Sequence, residues 1–309
     1  MSIVSLTVHQ LLIMAIYMLI GYILRRLNIL TRAGSKDLAG MLVKLVIPAI
    51  LINSFCEAYS PERLLQLLQC TVIAALLLGL SILVSHLIYR GRPLEDFGAS
   101  FSNAGFMGIP LVRAVFGAEA VFYIVPFVAL LNVLQWTYGC DLLRGVKEKK
   151  TAAGLLRQLL WNPPMVGIGI GILIFLSGRG DALPSLAATT LSGICALNTP
   201  LAMMVLGVYL ADEKLLTVFT TPSLYGVSLV RLLLIPLLSI LVLRFLPFSS
   251  EMSRAILLCA AAPVGANVAV YAQLYGKDYA HASKIVVLST ILSLVTLPLI
   301  AAVSALLPQ

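Results

Sequence analysis

Residues 102–117 read SNAGFMGIPLVRAVFG, inside an apolar run that extends over 95–116. A run of about 20 apolar residues is long enough to cross a bilayer as a helix. This one carries an amide, two glycines and a proline, at Asn103, Gly105, Gly108 and Pro110. Proline removes a helix hydrogen bond and collides with the preceding turn, and glycine weakens a helix further. The stretch therefore predicts a membrane helix broken part-way across. A second stretch, Pro263-Val264-Gly265-Ala266-Asn267, repeats the combination inside the apolar run 253–275. Interrupted apolar segments in corresponding positions of two halves point to a transporter's binding site.

The surrounding composition agrees. Of 309 residues, 60% are hydrophobic and 11% charged, against about 25% charged in a soluble domain. Mean hydropathy is +1.02. A soluble core stops growing near roughly 250–300 residues and cannot hide so much apolar surface. That excludes a soluble enzyme, a disordered chain and a secreted disulfide scaffold. The fold class expected is an all-α polytopic membrane protein. Ten apolar runs, near 6–24, 36–55, 65–89, 95–116, 120–143, 154–177, 185–210, 220–246, 253–275 and 281–307, predict ten transmembrane helices. Little chain remains for a soluble catalytic module. The first run follows no basic residue, so it reads as a retained span, not a cleaved signal peptide. Cys56, Cys70, Cys140, Cys195 and Cys259 are scattered with no CxxC, and read as packing groups.

The net charge of +8 does not point to nucleic acid, because the basic residues sit in short loops between apolar runs. They set orientation instead. Loops after odd-numbered spans carry 14 Lys and Arg, those on the other side five. This places both termini outside, on the periplasmic face of a cell inner membrane, and the polar Arg144–Arg157 loop in the cytoplasm. Leu45–Leu51 (LVIPAIL) and Asn198–Met204 (NTPLAMM) align at an offset of 152, and the ends of spans four and nine at 159. The chain thus reads as two five-helix repeats, 1–150 and 151–309, inverted because five is odd. Gly167, Gly169 and Gly171 lie within a span with no preceding strand, so they mark packing, not a dinucleotide fingerprint.

Helix breaks expose backbone N–H groups, and half-helix N-termini favour an anion. Asn103 and Asn267 add amide donors. Arg113, one turn beyond Pro110, is a candidate for anion attraction. Arg231, deep in span eight, reads as a structural charge satisfying carbonyls freed at a break. The acidic residues all fall in loops or near span ends, so a proton relay on buried carboxylates is not expected. Asp141 is the strongest of these for such a role. No metal cluster or catalytic triad assembles from the acids and His9, His86 and His281, so neither an enzyme nor a cofactor is expected.

These residues also resemble a known family. SNAGFMGIPLVRAVFG is similar to the fourth-span motif of the auxin efflux carrier family, which includes plant PIN carriers and bacterial permeases. LVIPAIL, Trp161-Asn162-Pro163, PLAMMVLG (200–207), LSTILSLVTLPL (288–299) and Arg231 five residues before Pro236 fit the same pattern. The resemblance covers essentially the whole chain. It implies an inverted 5+5 repeat with crossing broken helices 4 and 9. It also implies a likeness in assembly: a homodimer with a scaffold of spans 1, 2, 6 and 7, and a moving body of spans 3–5 and 8–10 working as an elevator. By the same resemblance Asn103 and Pro110 are crossover residues and Asn162 lies near the site. Arg113 stands where plant members commonly have lysine. Val268 stands where they have the ninth-span proline, with Pro263 upstream. The long loop of plant carriers is missing, which favours a bacterial-type permease. The substrate class implied is a small organic anion such as malate or malonate.

The expected binding set is Asn103, Gly105, Gly108, Pro110, Asn162, Pro263, Gly265 and Asn267, in a secondary or facilitative transporter. No residue selects between H+ and Na+ as coupling ion. The competing reading is a non-transporting membrane sensor for the same ligand. It lacks a signalling domain in this sequence.

Overall fold

The computed structural model describes residues 2–145, 154, 161–305 and 307. Among them the regular structure is helical, apart from one isolated antiparallel bridge between Ser102 and Val264. Six helical stretches are long and apolar enough to cross a membrane: Ile3–Arg26, Pro61–Ile88, Val121–Arg144, Ser185–Asp212, Pro222–Leu243 and Tyr279–Ser304. Ala104–Phe116 and Pro163–Leu176 are shorter apolar helices. Only 22% of the most apolar part of Ile3–Arg26 is buried within the protein. Leu12, Ile16, Leu65 and Leu83 face outward. A surface this apolar suits hydrocarbon, not water. The chain is a polytopic helical membrane protein. Most of the predicted Arg144–Arg157 loop lies outside the described residues.

Local chemistry starts the helices where the sequence places polar caps. Helix α1 is Ile3–Arg26, and α2, Arg32–Met41, begins at Thr31, whose hydroxyl accepts from Gly34 N–H. A π-helical turn, Leu42–Val46, leads into α3, Ile47–Asn53. Ser60 caps α4, Pro61–Ile88, by accepting from Arg63 N–H, with Pro61 in the first turn where its missing N–H is harmless. Two further π-helical turns, Ala104–Gly108 and Val230–Leu234, resemble Leu42–Val46 in placement. Each of the three ends two residues before a proline: Pro48, Pro110 and Pro236. The wider turn relieves the clash between the proline ring and the carbonyl one turn earlier.

The fourth apolar run is divided. Helix α5, Pro93–Ser100, stops at extended Phe101. The chain resumes after Asn103 through Ala104–Gly108 into α6, Ile109–Phe116. Helices α7, Val121–Leu134, and α8, Cys140–Arg144, follow, joined by a π-helical turn over Gln135–Gly139. Then come α9, Pro163–Leu176, α10, Ser185–Ala196, and α11, Asn198–Asp212. After them run α12, Leu215–Thr220, α13, Pro222–Leu229, and α14, Ile235–Leu243. The ninth run is divided like the fourth. Helix α15, Ser250–Ala260, ends before Pro263, and α16 restarts as Asn267–Leu274. Val268 therefore sits in the first turn of the resumed helix, and the interruption falls around Pro263. Helix α17, Tyr279–Ser304, is capped by Asp278, which accepts from His281 N–H.

Glycines let the backbones of the packed helices meet. A Cβ at Gly207 would overlap the main chain of Met18, and one at Gly21 the main chain of Met204. Helices α1 and α11 therefore cross in direct backbone contact. Arg25 Nε pairs with Asp212 Oδ1 at 2.7 Å and closes one end of this pair. Gly167 lies against Pro48, seating α9 on α3. Overpacking against backbone cannot relax by turning a side chain, and costs about 1–3 kcal/mol. Gly207→Val should lower the thermal unfolding midpoint in detergent, whereas Gly79→Val, where a Cβ meets nothing within 4 Å, should leave it unchanged.

Candidate functional site

The two interrupted stretches meet main chain to main chain. Asn103 N–H donates to the Pro263 carbonyl at 2.7 Å, and Gly265 N–H donates to the Phe101 carbonyl at 3.0 Å. These two bonds frame the antiparallel bridge between Ser102 and Val264. Val264 N–H is taken by Ser289 Oγ of α17 at 3.2 Å. A Cβ at Gly265 would lie 3.1 Å from the Ser102 carbonyl oxygen, and one at Gly108 would lie 2.8 Å from Cys259 Sγ. Both glycines therefore serve close approach. Pro110, two residues beyond, is buried at the start of α6.

The C-terminal sides of both breaks leave carbonyls facing inward, and Arg231 collects them. Its side chain is 1% exposed. Nη1 donates to the Ala99 carbonyl at 3.1 Å, to the Ser100 carbonyl at 3.3 Å and to Ser81 Oγ at 2.9 Å. Nε donates to the Ala262 carbonyl at 3.3 Å. Ser81 Oγ itself donates to the Ser100 carbonyl at 2.8 Å. A helix C-terminus carries roughly half a negative charge. Two such ends converge on one guanidinium, so its positive charge is offset by main-chain dipoles.

The N-terminal side is different in character. The carbonyl of Asn103 accepts from Met107 and Gly108, so the main-chain N–H groups just after Asn103 open the half-helix without a turn above them. Side-chain amides stand at the restarts of both divided helices. Asn198 Nδ2 donates to the Gly105 carbonyl at 3.3 Å, and Asn267 Nδ2 donates to Gln135 Oε1 at 3.0 Å. The remaining ends are buried without partners: Asn103 Nδ2, Gln135 Nε2, Asn198 Oδ1 and Ser102 Oγ. Asn103 is 5% exposed. Buried polar groups are almost always paired, so a cluster of unpaired ones is unusual. Two of the four are N–H donors, which fit an acceptor such as a carboxylate.

The structure thus brings Asn103, Pro263 and Gly265 together at the bridge, sets Gly108 against Cys259 and Gly105 alongside Asn198, and joins Asn267 to Gln135. Asn162 is buried at the N-terminal boundary of α9, with Oδ1 unpaired. No hydrogen bond among the described residues joins its side chain to the crossover. Arg113 is half-buried in α6, and no ion pair to a carboxylate is seen for it among the described residues. Gln135, Asn198 and Ser102 belong to the polar cluster although the sequence reading did not single them out as site residues. Gln135 had a visible signal, an amide in the apolar run 120–143. One acidic group also departs from expectation. Asp96 is 1% exposed in α5 and bonded by His86, Ser100 and Tyr138.

Residues 6–301 match the model of a family described as membrane transport protein. The chain belongs to this family. It is the auxin efflux carrier family whose motifs the sequence resembles. A protein of Methanothermobacter thermautotrophicus described as an uncharacterized transporter is 27% identical over 296 residues, covering 92% of this chain and 94% of the relative. An uncharacterized transporter of Methanocaldococcus jannaschii is 25% identical over 217 residues, 66% of this chain and 69% of the relative. The family consists of membrane transporters and is not an enzyme family.

Removing one partner from a buried charged network leaves the others desolvated and unpaired, at about 3–5 kcal/mol. Arg231→Met should therefore destabilise this membrane transport protein strongly, while Ser81→Ala, which removes one neutral partner, should cost about 1 kcal/mol. Thermal unfolding of the two purified variants checks the order.

Proposed function

We propose that the protein carries a small organic anion across the membrane by alternating access around the crossover. The observation that carries this reading is the unpaired donor set, Asn103 Nδ2 and Gln135 Nε2, beside the opening of a half-helix. A half-helix N-terminus supplies about half a positive charge, and amides fix an acceptor's position. Together they suit a carboxylate held without a dedicated cation. Arg113, one turn beyond Pro110 in α6, adds attraction at longer range. Malate- and malonate-like acids are the class that the family resemblance favours.

The rest of the proposal follows the sequence. Two inverted five-helix repeats, 1–150 and 151–309, supply ten spans, with the fourth and ninth crossing at the site. The elevator body comprises spans 3–5 and 8–10, and the scaffold spans 1, 2, 6 and 7, in a homodimer. The charge asymmetry of the loops puts both termini on the outer face of the cell membrane. Meeting of the Asn103 and Gly265 main chains supports one rigid substrate holder shared by both repeats.

Loss of a hydrogen bond to a charged ligand costs about 1.5–3 kcal/mol, or roughly tenfold or more in affinity. Uptake of labelled malonate and malate into proteoliposomes should fall by at least that factor in Asn103→Ala and Gln135→Ala. Undiminished uptake by both variants would remove the crossover amides from the site.

A further inference from the structure

Outside the crossover, a cluster of titratable groups joins α4, α5 and the π-helical turn after α7. His86 lies in the last turn of α4, Asp96 in the first turn of α5, and Tyr138 in the π-helical turn Gln135–Gly139. His86 Nδ1 is 2.9 Å from Asp96 Oδ2. The Tyr138 hydroxyl donates to the same oxygen at 3.4 Å and lies 3.2 Å from His86 Nδ1. Ser100 Oγ donates to Asp96 Oδ1 at 3.2 Å. The histidine side chain is 51% exposed and the aspartate side chain 1%. The pair therefore runs from an exposed ring to an enclosed carboxylate, at the end of α4 that the basic loops mark as cytoplasmic.

We propose that His86 and Asp96 form a proton-binding site whose occupancy accompanies anion transport. The coupling part of this inference rests on the carrier reading above. Neutral His86 donates Nδ1–H to Asp96 and leaves the Nε2 lone pair toward water. A proton from the cytoplasmic solution binds Nε2 and converts the pair to imidazolium and carboxylate. No covalent bond is made or broken, and the proton leaves by the same nitrogen.

Neighbouring charges do not duplicate this role. Arg231 touches Ser100 only through its carbonyl and is already offset by the half-helix ends. On α17, His281 pairs with Glu95 at 3.2 Å, with Lys284 one turn further along the helix. From α8, Arg144 lies over the Tyr275 ring, next to Asp141 on the same helix. Tyr271 of α16 stacks its ring edge on Phe97, and Tyr225 of α13 donates to the Phe219 carbonyl. Arg90 and Arg92 stay in the exposed turn. Asp96 therefore has His86 as its cationic partner when His86 is protonated. Without that proton the bound anion and the enclosed carboxylate together put two uncompensated negative charges on the body that moves, and carrying such charge through hydrocarbon is unfavourable; with the proton one remains, and the empty body returns with the carboxylate charge alone. Proton and anion then cross in the same direction.

Two measurements separate this from the carrier reading. The first needs no substrate. Histidine-labelled full-length protein in nanodiscs has three histidines, and His86→Gln assigns one resonance. Asp96→Asn removes the acidic partner and should change the pH dependence of the His86 resonance; an unchanged titration overturns the site. Ser100→Ala, a milder change, takes a donor from the Asp96 carboxylate and should alter the titration in the opposite direction, which covers a misfolded Asp96→Asn. The second follows labelled malonate and malate in liposomes loaded with a pH-sensitive dye. Wild-type uptake should acidify the lumen and rise as the outer pH falls from 8 to 6, and His86→Gln should transport without either effect. Uptake that is independent of pH and moves no protons in the wild type overturns the coupling and leaves the carrier intact. Absence of any uptake overturns the proposed substrate class instead, and the resonance titration alone then decides the proton site.

Discussion

Main-chain polar groups cannot be left unpaired in a medium without water, and this constraint organises the molecule. Two helices stop part-way, at Ser100 and at Ala260, and each break frees carbonyls on one side and N–H groups on the other. The carbonyl sides are closed by Arg231 and Ser81. The crossing strands are closed by each other, through Asn103 to Pro263 and Gly265 to Phe101. Among the described residues of the crossing, Asn103, Gln135, Asn198 and Ser102 retain unpaired side-chain groups. The freed carbonyls are thus saturated by protein, while the side-chain amides at the restarts are not.

The π-helical turns show how the rest of the chain adapts to this arrangement. A proline in a long apolar helix normally kinks it. Here Pro48, Pro110 and Pro236 each follow a widened turn, which absorbs the clash and rotates the residues before it. Val230–Leu234 is the turn that carries Arg231 inward, so the proline at 236 and the charge at 231 belong to one local device. The fourth such turn, Gln135–Gly139, has no proline directly behind it, yet it presents both Gln135 and Tyr138 to polar partners.

The membrane character and the existence of both interruptions were legible in the sequence, because apolar length and clustered Asn, Gly and Pro are local signals; where the ninth run breaks was not fixed until its two halves were seen to end at Ala260 and restart at Asn267. Arg231 was legible as a charge too deep to be incidental. What escaped was whatever depended on packing between distant segments. Gln135 and Asn198 join Asn267 and Gly105 only once the chain has folded. Asp96 was one of the acids read as lying in loops or near span ends, and its near-complete burial against α4 and Tyr138 shows only in the fold.

The four partners of Arg231 come from three separate regions of the chain, and this bears on how the protein is made. Ser81, Ala99 and Ser100 precede the arginine by more than 130 residues, while Ala262 follows it. A helix carrying this guanidinium alone would enter the bilayer with nothing to satisfy it. During synthesis, the first half of the polypeptide must already stand ready as a polar cradle when residues 222–243 emerge. The order of biogenesis is thereby written into one side chain: the earlier half acts as an intramolecular chaperone for the later one.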